Sequence, residues 1–128
     1  MSARDEVQAV LVTAPDADVA ARIARTLVGE GLAACGNIVP GIRSIYRWGG
    51  AIQDDVEVLL VLKTGRERVG ALAARLKALH PYELPEVIAL PVEGGSEAYL
   101  AWVLGALDTS DTLDTVRSGP GRDGEGGA

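Results

Sequence analysis

The sequence predicts an α+β domain of the ferredoxin-like, split βαβ kind: a two-layer sandwich with a long β-hairpin and a C-terminal helix. Three observations predict it. Apolar periodicity along the chain reads β-α-β-β-α-β and then one further helix. The first and third strand segments are apolar on both faces, as the central strands of such a sheet must be. The prolines that fall within strand segments, Pro40 and Pro91, belong to the second and fourth, which right-handed crossovers place at the edges.

Each element has its own signal. Residues 7–13 (VQAVLVT) are rich in β-branched side chains, and Ala14-Pro15-Asp16 breaks the run, with Asp16 as N-cap. A helix follows over about 17–30, with Val19, Ile23 and Leu27 at i+4 spacing and Gly31 as its stop. A strand broken at Pro40-Gly41 then places Ile42, Ser44, Tyr46 and Trp48 on one face. Gly49-Gly50 is a two-residue hairpin turn, because primed turns need φ > 0. The returning strand has Val56, Val58, Leu60 and Leu62 on one face and Glu57, Leu59, Val61 and Lys63 on the other. Thr64 and Glu67 have capping-box spacing ahead of a helix built on Val69, Leu72, Leu76 and Leu79. Pro81 ends that helix at about Leu79 and, with Pro85, stiffens the connector HPYELPE (80–86). The strand VIALPV, the turn Gly94-Gly95, the cap Ser96 and the helix EAYLAWVLGAL complete the domain, residues 1–107. Residues 108–128 read as a flexible, Gly-rich acidic tail.

The hairpin arms, about 38–48 and 51–63, are each at least ~11 residues long, or roughly 36 Å at ~3.3 Å per residue. A domain of this size has a radius of gyration of only ~13 Å. Arms that long project beyond their own sheet and carry Tyr46 and Trp48 near the tip. Exposed aromatics on unpaired strand edges call for a second subunit, so a closed oligomer built by sheet extension is expected.

Composition narrows the function. The chain has 128 residues and one cysteine, which excludes an internal disulfide and suits a reducing compartment. Its start lacks the apolar core of a signal peptide, and no window is apolar enough to span a membrane, so a cytoplasmic protein without a membrane partner is expected. A net charge of −6 argues against nucleic acid. Cys35 and His80 are the only cysteine and histidine, too few for a self-contained zinc site, although copies of His80 could meet Cys35, Glu83 or Glu86 across an oligomer. The plainer readings make Cys35 a small buried hydrophobe and His80 a connector residue. Lys63 ends its strand where the connector could return, so Tyr82 or Glu86 is its expected partner. With Glu57, and Trp48 from a neighbour's hairpin tip, these residues would line a polar cleft with an aromatic wall. The competing reading is a structural ion pair. GxSxG, Walker and post-strand GxGxxG motifs are all missing, and no third group orients a Cys35–His80 pair, so an enzyme is not expected.

TAPD (13–16), GLAACGNIVPGIRSIYRWGG (31–50), EVLLVLKT (57–64), HPYELPEVIALPV (80–92) and YLAWV (99–103) together resemble the CutA divalent-cation tolerance proteins, in order and over residues 7–107. The resemblance implies a tight homotrimer, similar in architecture to the PII signal proteins, and a role in tolerance of copper and other divalent cations. Of the positions to which copper binding has been attributed in that family, the first-strand cysteine is Val12 here and the first of two histidines is Leu79; His80 remains. The hairpin-tip lysine common in the family is Ala51. The expectation is therefore a trimeric, non-enzymatic tolerance protein that needs no cofactor and binds copper or another divalent cation weakly through His80, with Cys35 or carboxylates. The alternative is a PII-like sensor that takes a small anionic ligand in inter-subunit clefts through Trp48, Glu57, Lys63, Tyr82 and Glu86.

Overall fold

A computed structural model describes residues 6–107, so the expected tail lies outside the described residues. The elements are β1 (Val7–Ala14), α1 (Ala17–Gly29), β2 (Cys35–Trp48), β3 (Ala51–Gly65), a 3₁₀ turn (Arg66–Arg68), α2 (Val69–Leu79), β4 (Ile88–Pro91) and α3 (Glu97–Ala106). The four strands form one antiparallel sheet in the order β2-β3-β1-β4. This is the split βαβ order, with the two doubly apolar strands in the centre.

Local chemistry sets the boundaries of these elements. The Asp16 carboxylate accepts the Val19 N–H at 2.8 Å and opens α1, and Ser96 accepts the Tyr99 N–H at 3.2 Å and opens α3. Gly49 and Gly50 both have positive φ, +63° and +79°, the backbone of a primed two-residue turn. Thr64, however, does not cap α2. The β1–β3 ladder runs on to the pair Val7–Gly65, which keeps Thr64 in the strand, fully buried, with its hydroxyl donating to the Leu32 carbonyl at 2.7 Å. The chain enters α2 through the 3₁₀ turn without a side-chain cap.

One face of the sheet carries the core. Val10, Val12, Ala14, Val58, Leu60 and Leu62 point at Ala20, Ile23 and Leu27 of α1 and at Leu72 and Leu76 of α2. Packing is tight where β2 passes α1. A Cβ on Gly36 would lie 3.0 Å from Leu62 Cδ2 and 3.3 Å from Ala24 Cβ. On the opposite face, Leu100 and Val103 of α3 and Leu107, its C-cap, cluster with Val7 and Ala34. That helix therefore covers only the Val7–Gly65 end. The rest of the face presents Leu11, Leu59 and Val61, half-buried, and Val39, Ile88 and Leu90, which are 43%, 47% and 45% exposed.

The hairpin projects as its length predicts. Its arms have 14 and 15 residues, and β1 pairs with β3 only from Val58 to Gly65. Residues 51–57 pair with β2 alone. The register shifts between Val39 and Ile42, so Pro40 and Gly41 together oppose Val58 in a bulge. Proline has no N–H to lose there, and Gly41 supplies the φ of +73°.

Candidate functional site

The connector returns to the sheet where β1 ends. His80 is the C-cap of α2, 7% exposed, with both ring nitrogens engaged. Nε2 lies 2.8 Å from the Thr13 carbonyl and Nδ1 lies 3.1 Å from the Tyr82 N–H. Tyr82 stacks obliquely on that ring at 4.6 Å and donates its hydroxyl to Glu57 Oε2 at 2.6 Å. Glu57, also 7% exposed, is the first residue of β3 beyond the reach of β1. Burial and then this carboxylate push the Tyr82 phenol well above its ordinary pKa. On the same face Tyr46 donates to Asp55 Oδ2 at 2.5 Å, and that bond raises the Tyr46 phenol too. The base of the hairpin is thus an acidic cluster of two carboxylates, each held by a tyrosine hydroxyl.

The expected cleft is only partly assembled within one protomer. Glu57 and Tyr82 meet. Lys63 does not meet Tyr82 or Glu86: its ammonium donates to the Asn37 side chain on neighbouring β2. Six residues separate it from Glu57, ~20 Å along the strand. Glu86 is exposed, and Trp48 stands half-exposed at the tip opposite Ala51. Tyr46 and Asp55 were not foreseen as part of this cluster. The signal for them lies in the turn, since a two-residue Gly-Gly loop pairs Tyr46 with Gln53 and Ser44 with Asp55 and so sets Tyr46 diagonal to Asp55.

His80 and Cys35 do not form a common site. Cys35 is opposite Lys63 on β3, whereas Thr13, the partner of His80, is opposite Leu59. Four residues along the strands and two strand spacings across them make roughly 13 Å and 10 Å. The thiol instead contacts the Tyr99 hydroxyl at 3.5 Å. Among the described residues no three His, Cys, Asp or Glu side chains are grouped to hold a metal ion. A soft ion needs thiolate or imidazole lone pairs, and the one imidazole here has both nitrogens committed. The residues of a protomer therefore do not fit a copper centre on His80 and Cys35, and the same separation rules out a Cys35–His80 nucleophile pair.

Burial, followed by the Cys35 contact, pushes the Tyr99 phenol up to about 12. All three tyrosines of the chain are raised. A raised phenol favours the folded state while it stays protonated. That stabilisation is complete below the ordinary value of 10 and is lost as pH rises through about 12 for Tyr99. Phenolate absorbance at pH ~10, where a free phenol is half ionised, should stay below that of three free phenols until the protein unfolds. Ionisation of one tyrosine at its free value in the native protein would contradict these contacts.

Comparison with known proteins gives one consistent result. Residues 8–106 match the family described as CutA1 divalent ion tolerance protein. The chain is 51% identical over 96 residues to the divalent-cation tolerance protein CutA of Thermus thermophilus, covering 75% of this chain and 93% of that one. It is 52% identical over 110 residues to human protein CutA, covering 86% of this chain and 62% of the human protein. The solved structure of the Thermus thermophilus protein superposes with a TM-score of 0.76 at 49% identity, over 78% of this chain and 97% of that one. That of CutA1 from Oryza sativa superposes with 0.78 at 45%, over 82% and 96%. A likeness this extensive includes the hairpin, the connector and α3, and it places the chain in the CutA1 family of divalent ion tolerance proteins.

Proposed function

We propose that this chain acts in divalent-cation tolerance as a closed homotrimer in the cytoplasm, without catalysing a reaction. The observation that carries the reading is the uncovered apolar strip on the sheet, Leu11, Val39, Leu59, Val61, Ile88 and Leu90, beside a hairpin that projects past its own sheet. Contiguous apolar surface of this kind on a soluble domain marks an interaction site, and a projecting hairpin is the element that reaches a neighbour. The subunit number follows the family resemblance. In such an assembly the Glu57–Tyr82 cluster becomes a cleft wall, and a neighbour's Trp48 is the residue placed to close it. The cluster is acidic and suits cations. The sensor reading has less support, because its one cation, Lys63, is hydrogen-bonded to Asn37 and remote from Glu57.

Native mass spectrometry of untagged protein, alone and with Cu(I), Cu(II) and Zn(II), tests the assembly and the ligand together. The expected result is a trimer that retains no copper in a ratio set by His80 or Cys35. Expression in copper-challenged cells lacking their own homologue should raise tolerance. A monomer at micromolar concentration would overturn the reading, as would a trimer without any effect on tolerance.

A further inference from the structure

We propose that His80 is a positioning residue, a neutral imidazole protonated on Nε2 that clamps the connector across the end of β1 and, through Tyr82, fixes the angle at which the β2–β3 hairpin leaves the sheet. This inference concerns the protomer and does not rest on the assembly proposed above.

The hydrogen-bond partners dictate the tautomer. A backbone N–H can only donate, so Nδ1, which receives the Tyr82 N–H at 3.1 Å, carries no proton. A carbonyl can only accept, so Nε2, 2.8 Å from the Thr13 oxygen, carries it. Pro81 fixes φ between the two anchored residues. With His80 held on β1 and the Tyr82 amide held on His80, the phenol has little freedom except about its own side-chain torsions. It spends that freedom on Glu57 at 2.6 Å.

The position of Glu57 gives the bond its leverage. It opposes Ile42, immediately on the tip side of the Pro40-Gly41 bulge, and it is the first β3 residue that β1 does not cover. Beyond it the two arms pair, strand to strand, only with each other. A tether at this line sets the direction of everything beyond. Val56, next to it, is 75% exposed on the opposite face, so the tether is on one side of the ribbon. The same geometry sets His80 against metal. An ion on Nδ1 would meet the Tyr82 N–H, and an ion on Nε2 would displace the proton given to Thr13. Either opens the clamp.

The chain has one histidine, so the imidazole ¹⁵N spectrum needs no assignment. The native protein should show a protonated Nε2 and a bare Nδ1, unmoved by equimolar Zn(II) or Cu(I). Two variants separate the roles of the nitrogens. His80→Asn keeps an acceptor near the place of Nδ1, and His80→Gln keeps a donor near the place of Nε2. Hydrogen exchange of the Tyr82 amide should change little in the first and speed up roughly tenfold in the second, the scale of one lost hydrogen bond. Tyr82→Phe should leave the imidazole spectrum unchanged while amides of the projecting hairpin, residues 42–57, exchange roughly tenfold faster. The Nδ1–H tautomer, or a stoichiometric metal shift of the imidazole resonances, would overturn the assignment without touching the assembly reading. Equal behaviour of the Asn and Gln variants would reduce His80 to packing. An unaltered hairpin in Tyr82→Phe would remove the tether.

Discussion

In the assembly proposed above, Leu90→Lys combined with Val39→Lys should leave a folded monomer. Both side chains are near half exposed in the protomer, at 45% and 43%. Substitutions at such positions usually change a protomer's own stability by no more than about 0.5 kcal/mol. Both also flank the apolar strip. Leu90 pairs with Ala9 on β1, Val39 pairs with Leu59 on β3, and Leu11 and Val61 form the pair between those two rows. If a neighbour covers this strip, each lysine has its ammonium taken out of water with no carboxylate facing it among the strip residues. The penalty for an unpaired buried charge runs to several kcal/mol per site, enough to dominate a subunit contact. Sedimentation or light scattering should give the monomer mass, and far-ultraviolet circular dichroism should remain native. An oligomer of unchanged mass would show that the strip is not the interface. Because unfolding of an assembly is coupled to dissociation, the variant's melting temperature should also lose its dependence on protein concentration.

Leu60→Ala should destabilise the protein by about 2–5 kcal/mol. Leu60 is fully buried on β3, paired with Val12 on one side and Ile38 on the other, beneath α1. Removing its isobutyl group loses the transfer free energy of the side chain and leaves a cavity that the surroundings cannot easily fill. Gly36 shows how little slack exists, since even a methyl added there would stand 3.2 Å from Leu60 Cδ1. β3 is hydrogen-bonded on both sides, to β2 and β1, so it cannot close onto the cavity without disturbing both ladders. The midpoint of denaturant unfolding should fall with an unchanged slope, at matched protein concentration so that assembly does not distort the comparison. Val28→Ala, on the exposed side of α1, is the control and should stay within about 0.5 kcal/mol. A Leu60→Ala loss as small as the control's would mean that the core is far more plastic than its packing implies.

The fold was legible because its signals are local and periodic. Alternation along the returning strand put Val56, Val58, Leu60 and Leu62 on one face, and the structure buries the last three while Val56, beyond the reach of β1, stays exposed. Gly49-Gly50 required positive φ and has it at both residues. The arm length required projection, and β1 leaves residues 51–57 uncovered. Where local signals compete with the ladder, the sequence misleads. Thr64-Gly65-Arg66-Glu67 has the spacing of a capping box, yet pairing of Gly65 with Val7 holds Thr64 in the strand, because a ladder bond and a buried hydroxyl bonded to Leu32 outweigh an exposed cap.

The candidate site divides along the same line. Residue identity alone indicated that the connector is stiff, that His80 and Cys35 are the only imidazole and thiol, and that Glu57 and Lys63 are too far apart along one strand to pair. Those are properties of chemistry and of distance along the chain. The identity of each partner was decided in three dimensions. Tyr82 chose Glu57, Lys63 chose Asn37, Cys35 met Tyr99, and His80 spent both nitrogens on the backbone. Apart from the local bond between the His80 ring and the Tyr82 amide, each of these contacts joins residues from different elements, and their separation depends on ladder register, on one bulge and on where β1 stops. A change of one residue in register would reverse every facing, so only the assembled sheet could decide which side chains meet.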